Sequence, residues 1–289
     1  MKSAILIQAQ LEGAKLNQAY LEKANFFRAN LEKAEFREAY LEGAYLNETY
    51  LGGAILRRAH LEGVNLRAAH LEGVSTPPAD LRGAFFDSAT FLSDITWGNK
   101  AHGNVLLADV SWGGVNLSRI DWTSIDMLGN ERKAKNSNQL EDYQSAVRAN
   151  RQLAVALQEQ GLNEIAARFA YRAQRLQRVV LRKQKKFGSY LFSLFLDLLA
   201  GYGYRPGRSV FWYLVIIAGF ATAYYSFGHI TPLEAFILSL TSFHGRGFFP
   251  GINITLSDTR VVLAAFEAVI GLFIEISFIA TFTKRFFGG

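Results

Sequence analysis

Every fifth residue from position 6 to position 91 is large and apolar. These positions are Leu6, Leu11, Leu16, Leu21, Phe26, Leu31, Phe36, Leu41, Leu46, Leu51, Leu56, Leu61, Leu66, Leu71, Thr76, Leu81, Phe86 and Phe91; 17 of the 18 are Leu or Phe. Two residues before each sits a small residue, Ala in every repeat from Ala4 to Ala44. A period of five matches neither the helix at 3.6 nor the strand at 2. It suits a coil with four sides of five residues, each side turning one large and one small residue inward. Stacked coils then share backbone hydrogen bonds at the usual strand spacing of about 4.8 Å. The pattern breaks at Ser75-Thr76-Pro77-Pro78, read as a bulging loop, and resumes one residue out of register at Leu107, Trp112, Leu117, Trp122 and Met127.

From about Ser137 to Lys186 the period becomes helical. Tyr143, Val147, Leu153, Ala154 and Leu157 fall on one face. Gly161 stops that helix, Asn163 is placed to cap the next, and Ile165, Phe169, Leu176 and Val180 form a second face. An antiparallel helix pair is expected. Beyond it, 190–200 is apolar but only about 16 Å long as a helix, too short to cross a bilayer and suited to its interface. Val210 to Phe227 then runs without a charge for about 27 Å, and Val261 to Thr283 covers about 34 Å with Glu267 and Glu275 inside it. Between these spans, 232–243 predicts a short apolar helix with Thr231 as N-cap and Pro232 at its first position. A Gly-containing stretch follows it.

Charge sharpens this division. Residues 131–189 hold 13 Lys+Arg against 5 Asp+Glu, while the segment 1–130 is weakly acidic. The rod's mixed outward charges argue against mimicry of DNA, and the basic stripe lacks the interleaved aromatics of a nucleic-acid binder. Arg182, Lys183, Lys185, Lys186, Arg205 and Arg208 flank the interfacial segment, which points to anionic lipid headgroups as the partner and not nucleic acid. With Lys284 and Arg285 after the second span, both chain ends are expected in the cytoplasm of a multi-pass inner-membrane (plasma-membrane) protein. The repeat begins almost at Met1, so no cleavable leader is expected, and the rod is open to being a shortened part of a longer one. With no cysteine there is no disulfide framework. No nucleophile–base pair, nucleotide loop or metal-ligand spacing is visible, and His60 and His70 fall on different faces of the coil. The chain is therefore expected not to be an enzyme. It is expected to hold no cofactor and no metal beyond a permeating monovalent ion.

The A-x-L-x-x pattern resembles the pentapeptide-repeat family. The resemblance implies a right-handed quadrilateral β-helix over 1–130, followed by the basic helical hairpin at 131–187 and an interfacial helix and elbow at 188–208. Residues 209–289 resemble the two-transmembrane potassium-channel pore family. Ser239-Leu240-Thr241 matches the end of its pore helix, Gly245-x-Gly247 its filter glycines and Pro250 the following proline. Glu267 to Gly271 matches the inner helix up to a hinge glycine. The resemblance implies a homotetramer with spans at about 209–227 and 261–283, a pore helix at about 232–243 and a re-entrant filter at about 243–248. Its filter set is Thr241, Ser242, Phe243, His244, Gly245, Arg246, Gly247 and Phe248, with Glu267, Gly271 and Glu275 supporting or lining the pore. Phe243, His244, Arg246 and Phe248 depart from the family's threonine, valine, tyrosine and aspartate. A buried unpaired guanidinium is too costly, so Arg246 is expected to pair with Glu267 or Glu234. The contrary arrangement, four arginines on the pathway, would favour anions. Glu275 is expected to ring the inner cavity and attract cations, or to be satisfied by Ser277, Thr281 or a neighbouring subunit. The expected function is a tetrameric ion channel conducting cations, with a cytoplasmic protein partner for the β-helix. An anion pore and a non-conducting membrane-anchored scaffold are the alternatives.

Overall fold

The computed structural model describes residues 2–76, 78–92, 95–99, 103–228, 230–246 and 259–286. Two compact units divide the chain, Met1–Lys186 and Phe187–Gly289.

The first unit begins with a stack of coils. Ile5 bridges Asn25, Gln10 bridges Asn30, and the parallel bridges continue in the same register as far as Asn65 and Phe85. One turn of the coil is therefore four pentapeptides long. Its sides are single bridged residues joined by corners, so no extended strand runs through the stack among the described residues. At each corner a backbone N–H closes on the carbonyl three residues earlier, as Ala14 does on Leu11 at 3.0 Å. The residue before it has positive φ: Gln8, Gly13, Gln18, Lys23, Arg28 and onward at every fifth position. This is the geometry of a turn needing φ > 0 at its third residue, which accounts for Gly13, Gly43, Gly53, Gly63, Gly73 and Gly83 at that place. Non-glycine residues hold the same strained corner because the N–H there is bonded to the next coil, as Gln18 is to Arg37 at 2.8 Å. Inside, the Leu/Phe and Ala/Val columns are buried from Leu21 to Phe86.

The repeat does not break where the sequence suggested. Ser75 and Asp80 stay in register with Ile55 and His60 of the preceding coil. Thr76 fills an inward Leu position, and its hydroxyl donates to the Thr96 carbonyl at 2.6 Å. The polar group is thus satisfied inside the wall, and no bulge is required. The register slips by one further on. His70 bridges Phe91, Thr90 and Leu92 are buried, and Phe91 faces outward. A second insertion carries a two-stranded hairpin, β1 (Gly98–Asn99) with β2 (Gly103–Asn104), after which Asp80 bridges Leu106.

Three helices complete the unit: α1 (Gly129–Ser137), α2 (Leu140–Glu159) and α3 (Asn163–Lys183). Asn163 is the first helical residue and not the cap; Leu162 holds the cap position without a side-chain bond. The turn is made instead by Gly161 at φ +74 and by the Leu162 N–H on the Leu157 carbonyl, 2.9 Å. The aromatic core of the rod, Trp97, Trp112 and Trp122, runs into Phe169 of α3, whose ring meets Trp122 edge-on at 5.9 Å. Side-chain amides take the place of a further coil. Asn130 accepts from the Leu107 N–H at 2.7 Å, Gln152 from Asp109 at 2.8 Å and Gln160 from Leu117 at 2.8 Å. Gln160 also donates to the Val115 carbonyl at 2.6 Å. The helices therefore cap the stack and belong to the same unit as the rod. Replacing Gln160 by leucine is expected to leave the Leu117 N–H and Val115 carbonyl unpaired. Stability should fall by about 1–3 kcal/mol, to be read as a lower melting temperature of the rod's circular-dichroism signal. An unchanged melting curve would mean that solvent replaces the amide without loss.

The second unit holds α4 (Phe187–Ala200), α5 (Pro206–Gly228), α6 (Pro232–Phe243) and α7 (Thr259–Phe286). Two stretches, Gly207–Phe227 and Thr259–Ile279, are long and apolar enough to cross a membrane. The α4 helix presents Phe187, Leu191, Phe192, Leu194, Phe195 and Leu198 outward. It is tied to α5 by Ser209 and Trp212 donating to the Leu199 and Leu198 carbonyls, and by an Asp197–Arg208 ion pair of 3.1 Å.

Candidate functional site

The site is built around α6, which lies between the two long helices. Its start is fixed by a reciprocal cap. Thr231 accepts from the Glu234 N–H, and Glu234 accepts from the Thr231 N–H at 2.8 Å. These bonds, first the backbone one and then that of the hydroxyl, hold the Glu234 carboxyl below its ordinary range. One face of α6 is buried: Ala235, Leu238, Ser239, Ser242 and Phe243.

A polar cluster lies under that face. Ser239 is hydrogen-bonded to the Glu267 carboxylate of α7, and its hydroxyl is also 3.0 Å from the Ile217 carbonyl of α5. Glu267 is completely buried. Tyr224 Oη, Ser242 Oγ and the second Glu267 oxygen are buried together beside it. Glu267 thus serves as an internal support for α6. Glu234 is taken up by the cap. Among the described residues neither carboxylate pairs with Arg246, which is exposed. The expected pairs are therefore not present in the single chain: Glu267 is buried against Ser239, Glu234 closes the cap on Thr231, and Arg246 lies at the surface.

The end of α6 is closed by backbone. Gly245 has φ +68 and donates to the Ser242 carbonyl at 2.9 Å, and Arg246 donates to Thr241 at 2.9 Å. This is the double bond of a Schellman motif, with glycine at the left-handed position. Thr241, Ser242 and Phe243 belong to the last helical turn, and Thr241 Oγ1 bonds back to the Ile237 carbonyl at 2.9 Å. The expected filter is thus not extended over 243–246. Its remaining members, Gly247 and Phe248, and the proline at 250, lie outside the described residues.

Two contacts lock this end against the long helices. Phe243 is buried, its ring 4.9 Å from Tyr213 of α5. On the other side it meets Gly271 of α7 so closely that a Cβ there would run into the Phe243 carbonyl and lie 3.1 Å from its Cγ. His244 joins both helices: Nδ1 is bonded to Glu275, and Nε2 is 3.4 Å from Tyr213 Oη. Within one chain the partner of Glu275 is thus His244, a pairing the sequence reading did not contain; 31 residues separate them. Of the basic residues flanking α4, Arg182, Lys185 and Lys186 are not drawn into the core. Lys183 donates to the Asn138 carbonyl at 2.7 Å, and Arg208 pairs with Asp197, so these two also serve local structure.

The family model for pentapeptide repeats matches residues 4–43 and 34–73, in 8 copies. A search of curated proteins finds no match. Among solved structures, the chain is similar to HetL, a pentapeptide repeat protein involved in heterocyst differentiation regulation from the cyanobacterium Nostoc sp. strain PCC 7120. Identity is 34% over 40% of this chain and 51% of HetL, with a TM-score of 0.31. It is also similar to Rfr23 from the cyanobacterium Cyanothece 51142, with 32% identity over 34% of this chain and 64% of Rfr23, TM-score 0.27. The chain thus spans about half the length of HetL and less than two thirds of Rfr23. Residues 4–73 of the chain are thus pentapeptide repeats.

Proposed function

We propose that the second unit forms the pore of a tetrameric ion channel in the bacterial inner membrane. In this reading α5 and α7 are the two spans, and α6 is a half-helix that enters and leaves on one side. The rod is a right-handed quadrilateral β-helix in the cytoplasm, open to a protein partner, and α4 with its basic flank rests on anionic lipid headgroups. One observation carries the reading. A helix of 12 residues, too short to cross, is capped at its start, buried along one face between two helices of spanning length, and ended by a glycine turn. Such a half-helix is tolerated at membrane depth where it lines a cavity or is packed in protein. A soluble or merely anchored scaffold has no need for it.

Cations are the proposed cargo. Four copies of Glu275 around one axis would attract them. Anion conduction is the second reading, supported by the exposed Arg246 without a carboxylate partner among the described residues. The proposal predicts a tetramer by native mass spectrometry in detergent and a potassium efflux from liposomes that depends on the reconstituted chain. A monomer that leaves the liposomes tight would return the chain to the scaffold reading.

A further inference from the structure

The coil stacks residues that are distant in sequence, and on one face it stacks acids. Glu22, Glu42 and Glu62 occupy the same corner of three successive coils, beside the bridged column Tyr20, Tyr40, His60 and Asp80. Like charges at the coil spacing repel. The two ends of this ladder have cations. Lys2 pairs with Glu22 at 3.0 Å, and Arg82 reaches Glu62 at 3.4 Å. The middle carboxylate, Glu42, has no cation partner among the described residues. One oxygen each of Glu22, Glu42 and Glu62 is shielded from solvent without a hydrogen-bond donor, and Asp80 lies against Glu62 as a further carboxylate. An orphaned, shielded carboxylate oxygen is costly unless a cation reaches it.

A nitrogen ligand completes the group. One donor atom each from Glu42, His60 and Glu62 lie within 4.8 Å of one another. The His60 ring is stacked on Tyr40 at 4.8 Å with 7° between the planes, which fixes its orientation beside the acids. Arg82 does not compete strongly for Glu62. Its guanidinium is held side-on by Asp80, at 2.8 Å through Nε and 2.6 Å through Nη2.

We propose that Glu42, His60 and Glu62 form a divalent metal site of the zinc type on the face of the rod. One imidazole with two carboxylates suits zinc, whereas magnesium and calcium prefer oxygen alone. Ligand atoms around zinc lie about 3.4 Å apart at bond lengths near 2.1 Å. The ion joins two successive coils, Glu42 from one and His60 with Glu62 from the next, and neutralises the unpaired middle of the ladder.

The test is calorimetric titration of the untagged full chain in detergent with zinc chloride, with cobalt chloride as a spectroscopic probe. Zinc should bind, and cobalt should develop the strong visible bands of a four-coordinate N/O site. His60→Phe keeps a ring on Tyr40 but removes the nitrogen, and Glu42→Gln keeps the shape but removes the charge. Each should weaken zinc binding at least about tenfold, whereas His70→Ala, on another face, should leave it unchanged. Circular dichroism of each metal-free variant checks that the rod is intact, and Glu42→Gln carries the test should His60→Phe unfold it. No zinc binding by the wild-type chain, or binding unaffected by both His60→Phe and Glu42→Gln, overturns the site.

Discussion

Gly271→Ala is expected to abolish ion flux and to lower the melting temperature of the membrane unit. The added Cβ meets the Phe243 carbonyl, which is main chain in the last turn of α6, and it crowds the Phe243 ring at 3.1 Å. Neither can give way. The ring is wedged against Tyr213, and the turn is closed by the Gly245 and Arg246 bonds. Overpacking of this kind costs about 1–3 kcal/mol through displaced backbone. Here the displaced backbone carries His244, Gly245 and Arg246. Gly219→Ala is the control, since a Cβ at that α5 position meets nothing within 4 Å. It should leave both readouts unchanged or raise stability slightly. Wild-type stability with altered opening in Gly271→Ala would mean that the glycine acts as a hinge and not as a contact.

Arg246→Gln is expected to raise potassium flux by about tenfold or more. In the tetramer the substitution removes four positive charges from the mouth of the pathway. One unit charge 4–8 Å from an ion contributes about 2–4 kcal/mol at an effective dielectric of about 20, and salt reduces this only in part. A change of about 1.4 kcal/mol already gives tenfold. Because Glu267 is held by Ser239 inside the unit, the gain should not depend on a charge at 267. Tracer efflux from liposomes measures the effect. A fall in flux on Arg246→Gln would mean that the guanidinium is paired across a subunit boundary and supports the open pathway.

The period of five announced the coil because each buried column repeats one residue type at one spacing. The long apolar runs and the Thr231-Pro232 start announced α5, α6 and α7, since caps and helix length are local properties. What the sequence concealed is long-range or conditional. Phe91 continued the apolar column by chance, so the slip at Thr90 left no signal and was displaced onto the proline pair near Thr76. The rod cap depends on Gln152 and Gln160 meeting N–H groups 43 residues away. Nothing in a linear reading connects them. Gly245 was legible as a glycine with a purpose, but two purposes fit the same letter, a filter residue or a helix end. The backbone bonds place it at the helix end. Ser239–Glu267 and His244–Glu275 are contacts between helices, invisible until α6 packs on α7. Glu42 sits one coil before His60 and Glu62, a spacing that gains meaning only once the coil length is known.

Cation conduction by the second unit is open to direct measurement. It is tested most directly by the reversal potential of the purified full chain in a planar bilayer under a potassium chloride gradient. Currents should reverse near the potassium equilibrium potential. Reversal near the chloride potential, or a bilayer that stays silent after incorporation of the chain, would contradict it.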